Sequence, residues 1–365
     1  MAPTPDPIEA VSQRLDQFLD AQRAGTSGMG DEAALLLHAG AEALAGGKRL
    51  RARFCIAGWR AVEEPRGVDA ASPPDAVIAA AGALEVFHAA ALVHDDLIDN
   101  SDTRRGRPAA HRSLEAAHHS ARWHGDADAF GRSGAVLLGD LLVAWSDDLY
   151  EESLLQVPPA QAVAARTEYA RMRREVTIGQ FLDIAEESSF TIAPDDEHAE
   201  RALRVASLKS ARYSVQQPLV IGAALAAASP AQHATLAWFG HAVGMAFQLR
   251  DDVLGVFGDE SVTGKPSGDD LREGKRTVLV AYAREAADPD ERALFDARLG
   301  DRQLDDRAIQ AMQQLIRRTG ALDRVEQLIA DYAAEAESAL QDGAVGAAAL
   351  EELRGLARAA TVRTR

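Results

Sequence analysis

Apolar residues recur along this chain at three- and four-residue intervals from about residue 31 onward, and the two-residue alternation of a half-buried strand is nearly absent. Ala, Leu, Glu and Arg, which are strong helix formers, dominate the pattern. Pro and Gly gather at the joints: Gly46-Gly47, 65–74, 105–108, Pro158-Pro159, Pro194, Ser229-Pro230 and 255–274. The spacing predicts an all-α fold of about ten to fourteen helices, with residues 31–365 forming a single domain. Only 277–281 could read as a strand, and a helix is expected there because Ala283, Arg284, Glu285 and Ala286 continue the run. Residues 1–30 read as a peripheral segment, opened by Pro3, Pro5 and Pro7 and closed by Gly25, Ser27, Gly28 and Gly30. Within it Ile8, Val11, Leu15, Phe18 and Leu19 predict a short amphipathic helix. No fixed-period repeat or low-complexity linker interrupts the chain.

The stretch 214–249 lacks Asp, Glu, Lys and Arg, yet Gln216, Gln217, Ser229, Pro230, Gln232, His233, His241 and Gln248 break it up. Its longest apolar run, 218–228, is too short to span a bilayer, so two buried helices separated at Ser229-Pro230 are expected, with no stable membrane insertion. The opening residues show no basic region followed by an apolar run, and a cytoplasmic location is expected.

The chain has 365 residues, a formal net charge of −17, 47% hydrophobic residues and one cysteine. That is the composition of a folded globular protein. The acidic balance argues against nucleic acid as a partner, since a phosphate backbone needs a basic face. An anionic ligand would have to be held by a local basic cluster or through metal ions. Cys55 has no partner for a disulfide, which fits a reducing compartment. The segment 112–132, with His118, His119, His124, Asp126 and Asp128, matches no zinc spacing and is expected to be a solvated loop or insertion.

Four constellations could carry chemistry. Asp95-Asp96-Leu97-Ile98-Asp99 ends the apolar helical run 77–93, which Glu85 and His88 punctuate. Residues four apart lie about 40° apart around a helix, so Asp95 and Asp99 share a face with Asp96 at its edge. Such carboxylates repel one another beside a core unless a cation compensates. All-oxygen ligands suit Mg²⁺ or Ca²⁺, and Mg²⁺ is commonly shared between carboxylates and substrate phosphates. The second constellation, Thr103-Arg104-Arg105-Gly106-Arg107, follows directly and offers guanidinium forks that pair with phosphate. The third is Asp251-Asp252, followed by a Gly- and Lys-bearing loop through 263–277; its spacing and helical context exclude a P-loop. The fourth is Gly46-Gly47-Lys48-Arg49-Leu50-Arg51, where basic side chains join the free N–H groups of a helix start. Taken singly, each also fits a solvated charged patch.

The order of GGKRLR, HDDLID with TRRGRP, LLGDLL, GQFLDI, LKSARYS and FQLRDDVLG with TGKPSGDDLREGKRT, from Gly46 to Thr277, resembles the trans-type isoprenyl diphosphate synthases, most of all bacterial geranylgeranyl or polyprenyl diphosphate synthases. The resemblance covers about two thirds of the chain. It implies a helical bundle around a central apolar cavity, two aspartate-rich motifs facing each other across it, and three Mg²⁺ ions that grip an allylic diphosphate. On that match Asp95, Asp96 and Asp99 form the first metal site, and Asp251 and Asp252 the second. Arg104, Lys209 and Lys265 would hold the allylic diphosphate. Lys48, Arg51, His88 and Arg105 would bind isopentenyl diphosphate. Gln180, Asp183 and Gln248 fall on further motif positions near the allylic group. The second motif departs from the family pattern, because Gly255 stands where the last Asp of DDxxD is usual; Asp269 or Asp270 is expected to assist.

In the family, bulk one turn before the first Asp motif stops the product early. Ala90 and Ala91 stand there in this chain, so a farnesyl-length product is not the expected endpoint. Phe87 lies eight residues before Asp95, about 12 Å along a helix, and is the next stop, which implies a C20 product. Were Phe87 to turn aside, Ala83 would admit longer chains. Family resemblance also implies a homodimer. A class I terpene cyclase is the main rival reading, and it would leave Lys48, Arg51 and Arg105 without a role. The other rival, a silent subunit of a heteromeric synthase, would be expected to lose acids or arginines that this chain keeps.

Overall fold

The structure, a computed structural model, describes residues 6–69, 71–258, 267–342 and 345–361. It is all-α, as the spacing predicts, and contains more helices than expected because short helical pieces occupy several joints. The chain divides into two compact units: residues 1–165 with 224–227, and residues 166–223 with 228–365.

The first unit is organised on one helix, α4 (Asp75–Ile98), preceded by α1 (Pro7–Gly25), α2 (Asp31–Leu44) and α3 (Leu50–Glu63). It is followed by α5 (Ala110–Ser120) and α6 (Ala127–Leu154). Helix α4 is apolar along most of its length because neighbours bury most of it, with His88, Ala91 and Leu92 only partly covered. Ser146 on α6 donates to the Ala83 carbonyl at 2.7 Å. A methyl group added at Gly82 would meet both Leu149 of α6 and Leu15 of α1. Among the described residues α4 is the one helix long and apolar enough to cross a membrane, and 83% of that stretch is buried within the protein. Its apolarity is thus accounted for by packing. Helix α1 is held more tightly than a peripheral segment needs: Val11, Leu15, Phe18 and Leu19 are all buried. The Phe18 ring meets Trp145 edge-on at 6.1 Å.

The segment 112–132 is not a solvated loop. It forms α5 and the start of α6, with His118 buried against Trp123 and Phe130 at ring distances of 6.0 and 5.2 Å. The His rings act here as aromatic packing groups, which a count of polar residues does not reveal. Cys55 is fully buried, and burial pushes its thiol up to about 12, far from reactivity.

In the second unit α7 (Pro159–Ser189), for its residues from 166 onward, α8 (His198–Val205), a π-helical segment (Ala206–Gln216) and α9 (Gln217–Leu225), for its residues up to 223, lead to α10 (Pro230–Phe257). Helix α10 starts where Pro230 occupies the first turn and Ser229 and Gln232 form a reciprocal capping box, so the expected break at 229–230 has a defined cause. Downstream come α11 (Asp269–Glu273), α12 (Val278–Ala286), α13 (Pro289–Arg298), α14 (Asp306–Arg318), α15 (Ala321–Ala339) and α16 (Ala347–Thr361). A core of Leu249, Val253, Val256, Leu271, Leu279, Phe295, Met312 and Ile316 joins α10 to α11, α12, α13 and α14. Thr277 caps α12, which confirms a helix over 277–281.

Candidate functional site

In the first unit the acidic motif closes α4. Asp96 is buried, and the Asp99 N–H donates to the Asp95 carbonyl at the helix end. The chain then makes a two-residue antiparallel ladder, Thr103–Arg104 with Arg107–Pro108, turning through Arg105 and Gly106 at φ 52° and 72°. Positive φ at both central residues is the hairpin turn whose twist matches the strands, and glycine suits its second position. The ladder returns Arg104 onto the acids it follows in sequence. Its Nε donates to Asp96 Oδ1 at 2.8 Å, a second nitrogen bonds the same oxygen, and Asp95 Oδ2 lies 3.5 Å away. Burial raises the Asp96 carboxyl above its usual range, and Arg104 offsets only part of that rise. A buried carboxylate raised in this way suits a site for a further cation.

A positive field lies further back along α4. Burial, then the charges of Arg51, Arg105, Arg104 and Arg49, push His88 well below its ordinary value, so its imidazole is neutral. The GGKRLR turn is built by left-handed residues Gly46, Gly47 and Arg49, with α3 starting at Leu50. Gly47 is needed twice: its φ is 91°, and the Arg105 guanidinium lies 3.0 Å from where a Cβ would be. Glu85, buried inside the apolar run, accepts from the Ala52 N–H at 3.0 Å in the first turn of α3, with Arg49 at 3.8 Å. Sequence reasoning missed this role. The available signal was a carboxylate in the middle of an apolar helix, which must have partners to be tolerated.

The chain-length candidates lie on α4 as well. Phe87 and Ala90 are buried, and Ala91 is partly so.

In the second unit Lys209 and Asp183, taken from separate motifs, meet at 2.5 Å. The LKSARYS motif is wound as the π-helical segment, an unexpected feature of the kind often found at functional positions. Gly179 makes the close approach possible, since a Cβ there would lie 2.5 Å from the Lys209 backbone nitrogen. Gln180 is its neighbour on α7 and is partly buried.

On α10, Gln248 donates to Asp252 Oδ1 at 2.7 Å. Burial, then the charges of Asp270 and Asp251, drive the Asp252 carboxyl up to about 8, against the lowering contributed by Gln248 and Lys275. Asp251 is exposed. Lys275 Nζ bridges Asp270 at 3.0 Å and Glu273 at 2.6 Å, and these acids keep it protonated despite burial. Lys275 was part of a quoted motif but was given no role from sequence. Lys265 lies outside the described residues.

No group of three or more His, Cys, Asp or Glu side chains among the described residues already stands as a ready metal cage. The donor chemistry nevertheless fits Mg²⁺: two sets of carboxylates, each carrying a buried acid raised above its usual range. In the first, Arg104 sits on the acids; beside the second, Lys275 sits on the neighbouring Asp270.

The profile described as polyprenyl synthetase matches residues 34–316. A geranylgeranyl diphosphate synthase of Sulfolobus acidocaldarius is 30% identical over 239 residues, 66% of this chain and 66% of its own length. The heptaprenyl diphosphate synthase component 2 of Geobacillus stearothermophilus is 32% identical over 357 residues, 97% of this chain and 93% of its own. A geranylgeranyl pyrophosphate synthase of Corynebacterium glutamicum, solved in complex with isoprenyl diphosphate and magnesium, matches with a TM-score of 0.88 at 39% identity over 98% of each chain. The chain belongs to the polyprenyl synthetase family, whose members are prenyltransferases.

Proposed function

We propose that this protein condenses isopentenyl diphosphate with an allylic diphosphate (dimethylallyl, geranyl or farnesyl) in a Mg²⁺-dependent reaction, and that its product is geranylgeranyl diphosphate. In this reading Asp95, Asp96 and Asp99, and separately Asp251 and Asp252, hold three Mg²⁺ ions. Bound Mg²⁺ neutralises the diphosphate and so makes it a competent leaving group. Arg104 and Lys209, whose charges rest on Asp96 and Asp183, turn to the allylic diphosphate, and Lys265 joins them. Gln180, Asp183 and Gln248 orient that end of the site. Lys48, Arg51 and Arg105 bind the diphosphate of isopentenyl diphosphate, with neutral His88 as a hydrogen-bonding partner. Fixed cations stabilise the charge that develops as the allylic C–O bond breaks. The isopentenyl double bond then attacks the allylic cation, and a proton leaves to the departed diphosphate, so no side chain has to act as a base. The apolar face of α4 keeps water from the cation.

The observation that carries this reading is the Arg105 guanidinium brought against Gly47 of the GGKRLR turn, with Arg49 of that turn held by Glu85 on the same helix that ends in Asp95 and Asp96. A cyclase that takes one diphosphate has no use for a second cationic cluster. The small side chains of Ala90 and Ala91, with Phe87 buried one turn further back, support C20 as the endpoint. We further propose a cytoplasmic homodimer, supported by the exposed Val136 and Leu137 on α6.

The test is incubation with isopentenyl diphosphate, Mg²⁺ and each allylic diphosphate, with products resolved by chain length. Elongation ending at C20 is expected. A cyclic hydrocarbon formed without consumption of isopentenyl diphosphate would establish the cyclase instead, and absence of turnover would favour a silent subunit.

A further inference from the structure

Position 255 lies four residues after Asp251 and three after Asp252, so a carboxylate there would share their face of α10. Glycine occupies it. The space above that glycine is filled: Asp270 Oδ2 lies 1.9 Å, and its Cγ 2.3 Å, from where a Cβ on residue 255 would be. Any side chain at 255 would therefore have to expel the Asp270 carboxylate.

The approach is built into the backbone. Asp270 sits in the first turn of α11, a single turn bounded by Gly268 and Gly274 at φ 77° and 82°. Gly268 packs so closely on α14 that a Cβ would lie 2.5 Å from the Ile309 side chain. Lys275 then fixes the direction of the carboxylate by holding Oδ1 at 3.0 Å. The other oxygen is the one over Gly255, and the Asp270 charge bears on Asp252.

We infer that Asp270 is the third carboxylate of the second metal site, reaching from α11 into the seat that Gly255 leaves open on α10. The inference rests on the metal-binding reading of Asp251 and Asp252 proposed above. Gly255 and Asp270 then form one unit, in which residue 255 cannot carry a side chain while Asp270 keeps its place. Lys275 is the residue that orients Asp270.

The experiment is a calorimetric titration of the full-length chain with inorganic pyrophosphate at saturating Mg²⁺, paired with melting curves recorded without metal to confirm folding. Asp270→Asn, which preserves shape and can still accept from Lys275, is expected to weaken binding about ten- to a hundredfold. Gly255→Ala should weaken it similarly by displacing Asp270. The double variant Gly255→Asp/Asp270→Ala should regain most of the affinity that Asp270→Ala loses, because the carboxylate returns from the other side of the same space. Wild-type affinity in Asp270→Asn, or a double variant no tighter than Asp270→Ala, overturns the inference. The control is Asp252→Asn: if it weakens binding while Asp270→Asn does not, only the inference fails; if neither changes binding, the metal-site reading fails as well.

Discussion

The two acidic regions reach similar chemistry by different routes. In the first unit everything lies within ten residues: Asp95 and Asp96 end α4, and a tight hairpin folds Arg104 back onto them. In the second unit Asp252 is on α10, its charged neighbour Asp270 is on α11, and Lys275 clamps the loop from beyond a left-handed glycine. The same contrast holds for Lys209 and Asp183, 26 residues apart and joined only because Gly179 lets two backbones approach. A site assembled within one turn and one hairpin resists changes elsewhere in its unit. A site assembled across helices depends on every close contact that brings those helices together.

Substitutions can break this comparison, and the largest expected effect is at the acids. Asp96→Ala should lower turnover on the order of 10²–10³-fold with unchanged circular dichroism, since it removes a charge-stabilising group and releases Arg104. Near-normal turnover would mean that the first acidic motif is misassigned. Next comes Phe87→Ala, which should destabilise the first unit by about 3–5 kcal/mol through a buried cavity and lengthen the product. An unchanged product distribution would remove Phe87 as the ruler.

Two substitutions with similar stability costs sharpen the contrast. Gly179→Ala forces its Cβ against the Lys209 backbone and should cost about 1–3 kcal/mol, raising KM for the allylic substrate. Glu85→Ala leaves the Ala52 N–H in α3 without its acceptor, also at a cost of about 1–3 kcal/mol, and should raise KM for isopentenyl diphosphate, while Glu85→Gln keeps an acceptor and most of the function. Steady-state kinetics in both substrates, beside thermal melts, separates the two. If each variant moved both KM values equally, the division of labour would be wrong.

The smallest effect is on pH. Asp252 is raised in the folded chain, to about 8, so the native state keeps its proton longer than the unfolded state does. Its contribution therefore makes the metal-free protein less stable as pH rises from the ordinary carboxylate range towards about 8. Because Mg²⁺ replaces that proton, the Mg²⁺-induced rise in Tm should be larger at about pH 8.5 than at about pH 6. An Mg²⁺ shift independent of pH would argue against Asp252 as a ligand.

These differences also explain what could be read from the sequence. Helical periodicity exposed the all-α fold and the break at Ser229-Pro230, because both follow from local preferences. The HDDLID and TRRGRP motifs lie side by side in the chain, so their pairing was within reach of a reader. That Asp270 rather than Asp269 lies over Gly255 was not, because the meaning of a glycine depends on what approaches it from elsewhere. Glu85 looked like punctuation and proved to be the acceptor at the start of another helix. The His-rich segment misled for the converse reason: His118 is spent on aromatic packing, which polarity does not signal.

The most direct test of the account is a crystal structure of the full-length chain with Mg²⁺ and a non-cleavable allylic diphosphate analogue. Metal density is predicted on Asp95 and on Asp252, with Arg104 and Lys209 moved from their carboxylates onto the diphosphate. A bound analogue with no metal on either acid, and with Arg104 still on Asp96, would contradict it.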